Sequence, residues 1–267
     1  MSHPSTLRAP TVSTAFRAST LSRIVTWLIL AYALYAATQL GFSWQRFASG
    51  LGNGSTFLTR MFPLDFSKNG ILWDGISETL QIAVLASALG ILLSLPIGLM
   101  GARNLMPAWI SWPARAVVSV CRSLHPVIVA ILFVKAVGFG ALAGILALVV
   151  ASIGFIGKLF AEAIEEISIK QVEAIRATGA SFMNVILFGV LPQVLPRFVG
   201  FSTYQLDSNL RNSTMVGIVG AGGVGGVLFS AFQRFEYGFV LTILLTIIAI
   251  IVVGELAANA VKKVFHV

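Results

Sequence analysis

Three side chains that can carry a positive charge lie within one apolar stretch of the sequence: Arg122, His125 and Lys135. Ionisable residues are costly inside a membrane and usually mark a functional site there. Arg122 and His125 are three residues apart, so on a helix they share one face. The pattern predicts either a cationic lining for the path of an anion or basic side chains that reach the headgroups on the two sides. Because His125 precedes Pro126, we also expect a kink at this point.

A glycine-rich segment, residues 211–226, contains six glycines between Gly217 and Gly226, three of which satisfy G-x-G-x-x-G. A dinucleotide site is excluded, because an apolar stretch rather than a strand precedes the motif and Val240 stands where an acid is needed. The remaining interpretations are close helix packing and an irregular turn that lines a water-filled path. The polar residues before the glycines favour the path. The residues predicted to form a path or gate here are Asp207, Asn209, Arg211, Asn212, Ser213, Thr214, Gly220, Gly222 and Gly223.

The sequence offers little for enzymatic chemistry. Its three histidines are scattered at His3, His125 and His266, and Cys121 is the single cysteine. This set provides neither metal-ligand spacing nor a catalytic constellation. No Walker lysine follows the glycines, so the chain is not expected to hydrolyse ATP. We predict a protein that is not an enzyme and has no cofactor or metal of its own.

The composition indicates a membrane protein. Of the 267 residues, 57% are hydrophobic and 10% are charged, and the net charge is +8. Soluble domains carry about 25% charged residues. The basic residues do not form a polar face, which argues against a nucleic-acid partner. Stretches of about 20 apolar residues predict six membrane helices. They lie near residues 24–42, 76–100, 116–137, 141–160, 194–214 and 239–261.

The predicted fold is therefore an all-α polytopic membrane protein with six transmembrane helices. Residues 1–22 are predicted to be a tail and residues 23–267 a transmembrane domain. Lys and Arg are more frequent in the tail, in the loops after the second and fourth helices, and at the C-terminus. With six spans these segments share one side, so the positive-inside rule predicts that both termini are cytosolic.

One cytosolic segment, residues 161–192, is too polar to cross the membrane. Glu162, Glu165 and Glu166 share a helical face. Ser168 is a candidate cap for the short helix that follows, Gly179 is expected to end that helix, and a second helix is expected to end at Pro192. This helix pair suits docking to a soluble partner, although a solvated linker would fit the same pattern.

The spacing of several residues in this segment resembles the cytosolic motif of permeases of ATP-binding-cassette importers. The motif has Glu-Ala-Ala, then a glycine, then Ile-x-Leu-Pro at fixed offsets. The matching residues are Glu173, Ala174, Gly179, Leu191 and Pro192, with departures at Ile175 and Gly189. Further stretches resemble the phosphonate, phosphite and hypophosphite subfamily. They are residues 57–63, 78–83, 96–104, 157–165, 172–180 and 217–223.

The resemblance implies a type I importer permease of the bacterial inner membrane, which moves a phosphorus oxyanion by alternating access. It implies a second copy of the chain, two ATPase subunits that bind ATP and Mg²⁺, and a periplasmic binding protein. The coupling residues would be Glu162, Glu165, Glu166, Glu173, Ala174, Gly179, Leu191 and Pro192. A permease for another small solute is an alternative. An ion-coupled secondary transporter is a weaker one, because the spans contain few acids for a proton relay.

Overall fold

The computed structural model describes residues 20–41 and 43–264, which form helices and the connections between them, with no strand within those ranges. Most of the predicted tail, His3 and His266 lie outside the described residues. The chain divides into two compact units, residues 1–59 and 60–267. The first unit contains α1 (Thr20–Gln39) and most of α2 (Trp44–Met61). The tail prediction overlaps α1 by three residues, and α2 was not predicted.

The second unit is a helical bundle. Its helices are α3 (Asn69–Gly101), α4 (Ala108–Ser123), α5 (Pro126–Val137), α6 (Ala141–Glu165), α7 (Ile169–Ala177), α8 (Phe182–Asn184), α9 (Leu191–Ile218), α10 (Val224–Gln233) and α11 (Tyr237–Val264). A π-helical segment, Val185–Val190, joins α8 to α9, so that Phe182–Ile218 forms one helix of 37 residues. Among the described residues, five helices are long and apolar enough to cross a membrane, or six if the bent pair α4–α5 counts as one.

Helix α6 lies at the centre of the bundle, and small residues let α3 approach it closely. A Cβ on Gly90 would lie 2.3 Å from Cβ of Ser152, and a Cβ on Gly98 would lie 2.9 Å from the Phe160 ring. Contacts of this kind are typical of membrane helices, where association depends on close packing rather than on the hydrophobic effect. The two helices run parallel, since Gly90 lies beside Ser152 and Gly98 beside Phe160, and they define the two ends of the bundle.

We name these ends by their residues. The glycine end is where α3 and α6 begin and where residues 219–223 turn between α9 and α10. The charged end is where α3 and α6 finish and α4 begins, near Arg103 and Glu165. Helix α4 starts at the charged end, and α5 leads to Gly140, which bonds to Gly220 at the glycine end. The bent pair therefore connects the two ends and occupies the place of the third predicted span.

The third span is not a single kinked helix. Its halves α4 and α5 are bent by 94° at a break between them. His125 is extended (φ −70°, ψ 137°), because a residue before proline avoids the helical region. Its Nδ1 accepts a hydrogen bond from the Val127 N–H at 3.3 Å and so caps α5. The prediction that Arg122 and His125 share a helical face is wrong, since they lie on opposite sides of this break.

The prediction that a helix ends at Pro192 is also wrong. Pro192 is in the first turn of α9, and the helix continues past it and through Pro196 to Ile218. A proline ring normally collides with the carbonyl four residues earlier. Residues 185–190, which precede Pro192, form π-helical turns, and these are wider than the α-helical turn in which that collision arises.

Candidate functional site

Helix α7 is a short surface helix that is attached to the bundle on one side. It ends where the motif predicts, since Gly179 has φ of 78° and its N–H bonds to the Arg176 carbonyl. This left-handed conformation is easily adopted only by glycine. Ser168 occupies the N-cap position, but its side chain makes no capping bond. Instead, its backbone N–H donates to Oε1 of Gln193 at 3.0 Å.

The underside of α7 packs on the π-helical segment. Val172 is 1% exposed and belongs to an apolar cluster with Val185, Val190 and Ile164. A Cβ on Gly189 would lie 3.2 Å from Cδ1 of Ile175 and 3.7 Å from Cα of Val172. The two departures from the motif thus face each other: the larger Ile175 fills the space that the smaller Gly189 leaves.

The upper face of α7 is left to solvent. Glu173 and Ala174 are both exposed, as are Lys170 and Arg176. Leu191 is half-buried against the same apolar cluster, whereas Pro192 is exposed. The motif therefore supplies both an exposed surface, which includes Glu173 and Ala174, and the rigid seat beneath it.

Glu165 links three elements at the charged end. Its Oε1 accepts hydrogen bonds from the Arg115 guanidinium at 2.6 Å and from the Arg103 N–H at 2.8 Å. The Arg115 Nε donates to the Gly101 carbonyl at 2.8 Å, and Nδ2 of Asn104 donates to the Ile164 carbonyl at 2.7 Å. These bonds hold the end of α6 to the α3–α4 connection and to α4 itself.

The other two predicted coupling glutamates also have partners within the chain. Glu166 pairs with Arg197 of α9, and Glu162 pairs with Lys158 one turn earlier at 3.3 Å. Only three residues separate Glu165 from α7, so the base of α7 lies close to the bonds that Glu165 makes with α4 and Glu166 makes with α9. In this structure Glu165 and Glu166 join the end of α6 to α4 and α9, Glu162 pairs within α6, and the exposed surface comes from α7 itself.

A fully buried polar network joins α3, α6 and α9 in the middle of the bundle. Nδ2 of Asn209 donates to the hydroxyl oxygens of Ser87 at 2.9 Å and of Ser152 at 3.0 Å. Nε2 of Gln205 donates to the Ser152 hydroxyl oxygen at 2.9 Å and to Oδ1 of Asn209 at 3.0 Å. Asn209 is completely buried, so its bonds fix the register of three helices.

The remaining polar residues of α9 point in different directions. Ser213 and Thr214 are buried, with Ser213 bonded to the Leu210 carbonyl. Arg211 is exposed and lies 3.4 Å from Asp207. Asn212 is half-buried and bonds to the Ser208 hydroxyl at 3.3 Å. The structure thus divides this run between the interior of the bundle and its surface, and a path role for these residues stays a prediction.

The glycine turn is held by two side chains of α3. Oε2 of Glu78 accepts from the Gly223 N–H, and Oγ1 of Thr79 accepts from the Val224 N–H, both at 2.8 Å. A carboxylate at the first N–H groups of α10 complements that helix terminus. The Gly140 N–H also donates to the Gly220 carbonyl at 3.0 Å. We call this arrangement the glycine latch.

The latch leaves no room for larger residues. Gly220, Gly222 and Gly223 have φ of 91°, 83° and 79°. A Cβ on Gly222 would lie 2.5 Å from Oε1 of Glu78, and one on Gly225 would lie 1.9 Å from the Thr214 carbonyl oxygen. Glu78 was not among the residues predicted to have a function, although an acid in an otherwise apolar stretch was a usable signal. Beside the latch lies an open cavity of about 490 Å³, whose wall includes Lys68 and Arg234.

The three basic residues of the bent span lie in different places in the structure. Lys135 is exposed in the last turn of α5, and His125 caps that helix. Arg122 lines a cavity at the charged end. Within the described ranges, no group of three or more His, Cys, Asp or Glu residues is placed to hold a metal ion.

Comparison with known proteins agrees with this architecture. Residues 94–266 match the model of a protein family described as the binding-protein-dependent transport system inner membrane component. The chain belongs to this family. It is therefore a multi-pass permease component of the bacterial inner membrane.

Two curated relatives are permeases. The permease is 43% identical over 207 residues to the phosphate-import permease protein PhnE of Mycolicibacterium smegmatis, covering 77% of this chain but only 39% of that protein. It is 38% identical over 218 residues to the phosphite transport system permease protein PtxC of Stutzerimonas stutzeri, covering 81% and 79% of the two chains.

A solved structure shows the same fold. The permease matches a chain of the MetNI methionine ABC transporter in an inward-facing conformation, with a TM-score of 0.65 and 26% identity. The match covers 76% of the permease and 99% of that chain. The all-α type I importer fold predicted from sequence is confirmed.

Proposed function

We propose that this permease is the membrane-spanning subunit of an ATP-driven importer that moves a phosphorus oxyanion, such as phosphite, a phosphonate or phosphate, into the cytosol. The observation that carries the proposal is the exposed surface of α7 on a seat tied to α4, α6 and α9. The names of the relatives support the substrate class. In this assignment two copies of the chain pair with two ATPase subunits, which bind ATP and Mg²⁺, and with a periplasmic binding protein.

The proposed orientation puts the charged end in the cytosol. Arg103, Arg115, Lys158 and Arg197 lie near this end, whereas Lys68 and Arg234 lie near the other. This asymmetry follows the positive-inside rule. The exposed residues of α7 would then face the ATPase subunits, and the glycine latch would face the binding protein.

The mechanism follows from these attachments. When ATP brings the ATPase subunits together, they displace α7. Because Glu165 and Glu166 tie its base to α4 and α9, the displacement reaches the helices of the membrane path and reorients them. Hydrolysis resets the path. Such a path needs only weak anion contacts, since tight binding would slow release.

Gly179→Pro tests the coupling. Proline cannot adopt the φ of 78° found at this position, so α7 should end incorrectly while the membrane bundle still forms. Uptake of labelled phosphite and methylphosphonate would be measured in proteoliposomes with the ATPase and binding protein present. We expect uptake to fall by about tenfold or more, with ATPase activity no longer tied to it. Gly70→Ala, at a helical glycine of α3 with open space around it and no left-handed backbone conformation, is the control.

Normal uptake by Gly179→Pro would overturn the coupling role. Uptake by the chain without any ATPase subunit would instead support a secondary transporter. If a different solute were carried in preference to both phosphorus anions, the substrate class would be wrong while the importer assignment remained.

A further inference from the structure

A cavity of about 410 Å³ lies between α4 and α6 at the charged end. Its volume is typical of a small-molecule site, which spans roughly 300–1,000 Å³. Four cationic side chains line it: Arg103, Arg115, Arg122 and Lys158. Among the described residues that line the cavity, Glu162 is the one acid, and Ser119 adds a hydroxyl group. We call this space the cationic cavity.

The positive charge of the cationic cavity is only partly balanced. Arg115 is paired with Glu165 at 2.6 Å, and Lys158 is paired with Glu162 at 3.3 Å. The guanidinium carbon of Arg103 lies 5.9 Å from the centre of the Trp112 ring, a contact that leaves its N–H donors free for a ligand. Within the described part of the chain, the guanidinium groups of Arg103 and Arg122 therefore have no carboxylate partner in the cavity.

Arg122 is the less expected of the two. Within residues 20–41 and 43–264 it forms no hydrogen bond or ion pair. Its side chain is exposed and lies level with the middle of α6, because a Cβ on Gly154 would be 2.8 Å from Cγ of Arg122. Gly154 thus lets the α4 backbone approach α6 and holds Arg122 at that depth. An arginine at this depth calls for a compensating anion.

The chemistry of the cavity indicates the class of that anion. Arginine presents a planar fork of N–H donors that matches the oxygens of phosphate-type groups. Trp109 and Trp112 of α4 are 76% and 68% exposed, and tryptophan is enriched at the level of lipid headgroups. Basic pockets between membrane helices on the cytoplasmic side bind phospholipid headgroups.

We propose that the cationic cavity is a binding site for a phosphoryl oxyanion, held chiefly by Arg122 and Arg103. The anion comes either from the headgroup of an anionic phospholipid or from a free phosphorus oxyanion. Only the second source rests on the proposed transport function.

The test measures binding to the full chain in the absence of ATP. In one arm, the chain in phosphatidylcholine nanodiscs is titrated with labelled inorganic phosphate and labelled methylphosphonate. In the other, native mass spectrometry counts the phosphatidylglycerol retained by the detergent-purified chain. We expect Arg122→Gln and Arg103→Gln each to lower occupancy by about tenfold or more in one of the arms. Lys263→Gln removes one charge from the exposed end of α11 and should leave binding unchanged.

Arg122→Lys keeps the charge but not the fork, so it should bind better than Arg122→Gln and less well than the wild type. All variants would be compared only as monodisperse protein with unchanged helix content. Equal binding by the wild type and both glutamine variants in both arms would overturn the site, as would an equal loss in Lys263→Gln. Transport itself is judged by uptake, so a failure of the importer assignment would be seen separately.

Discussion

Cδ1 of Ile175 lies directly over Gly189, at 3.2 Å from the position that a Cβ on this glycine would take. In the importer motif the first of these positions carries alanine and the second isoleucine. The large and small residues are exchanged here, and the contact between α7 and its π-helical seat is kept. The two departures from the motif therefore compensate for each other in side-chain volume.

This exchange of a large and a small residue predicts that substitutions at the two positions compensate for each other. Gly189→Ile should overpack the seat, with a cost of about 1–3 kcal/mol, and displace α7. Ile175→Ala alone should leave a small void. The double variant should recover most of the lost uptake and of the lost thermal stability in detergent. If the two effects simply added in the double variant, the proposed complementarity would be excluded.

We expect Glu165, but not Glu162, to transmit the displacement of α7 to the membrane helices. Glu165→Gln keeps an acceptor for the Arg103 N–H but loses the charged pair with Arg115, so we expect several-fold less anion imported per ATP hydrolysed. Glu162→Gln is the matched control on the same helix. Its pair with Lys158 is about 43% exposed on the acid side and should contribute little. Equal transport-to-ATPase ratios in the two variants would argue against this role of Glu165.

The glycine latch should open when its acceptor is removed. Glu78→Ala leaves the Gly223 N–H without its partner, at a cost of about 1–3 kcal/mol. Hydrogen–deuterium exchange of residues 220–226 should therefore accelerate. Glu78→Gln retains an acceptor oxygen and should largely preserve protection. Asp74→Ala, at an exposed residue one turn earlier, is the control, and faster exchange there would point to a general effect on α3.

Asn209 should matter for stability more than its neighbours do. Asn209→Leu removes the shared member of the network and leaves the Gln205 amide and two serine hydroxyls with fewer partners. We expect a loss of about 1–3 kcal/mol and a lower Tm in detergent. Asn212→Leu changes the same residue type on the same helix, where the single bond to Ser208 is long, and should have a small effect. Similar Tm changes in both variants would contradict a special role for the network.

Local sequence patterns were sufficient for the features that depend on neighbouring residues. Gly179 ends α7 because a left-handed residue is required there, and the offsets of the motif identified it. The break at His125 was expected from Pro126, but its 94° angle was not, because it depends on what α5 packs against. Helix α2 was missed since its sequence contains three glycines and few apolar residues.

The partners of the charged side chains could not be predicted in the same way. Glu165 and Arg115 are 50 residues apart, and Asn209 and Ser87 are 122 residues apart. Only the packing of α3, α4 and α9 on α6 brings them together. For this reason sequence reasoning placed the three glutamates on one helical face and counted them among the coupling residues, without the partners that the structure gives each of them within the chain.

The 94° break at Leu124 and His125 divides one membrane crossing into two helices, α4 and α5, which meet at a short hinge. Helix α4 is bonded to the charged end, which α7 would displace, and α5 leads to the glycine latch. A rotation of α4 about this break need not disrupt the hydrogen bonds of the glycine latch near the end of α5. In the proposed importer, α4 would then move at the charged end while the glycine latch keeps its hydrogen bonds at the other end.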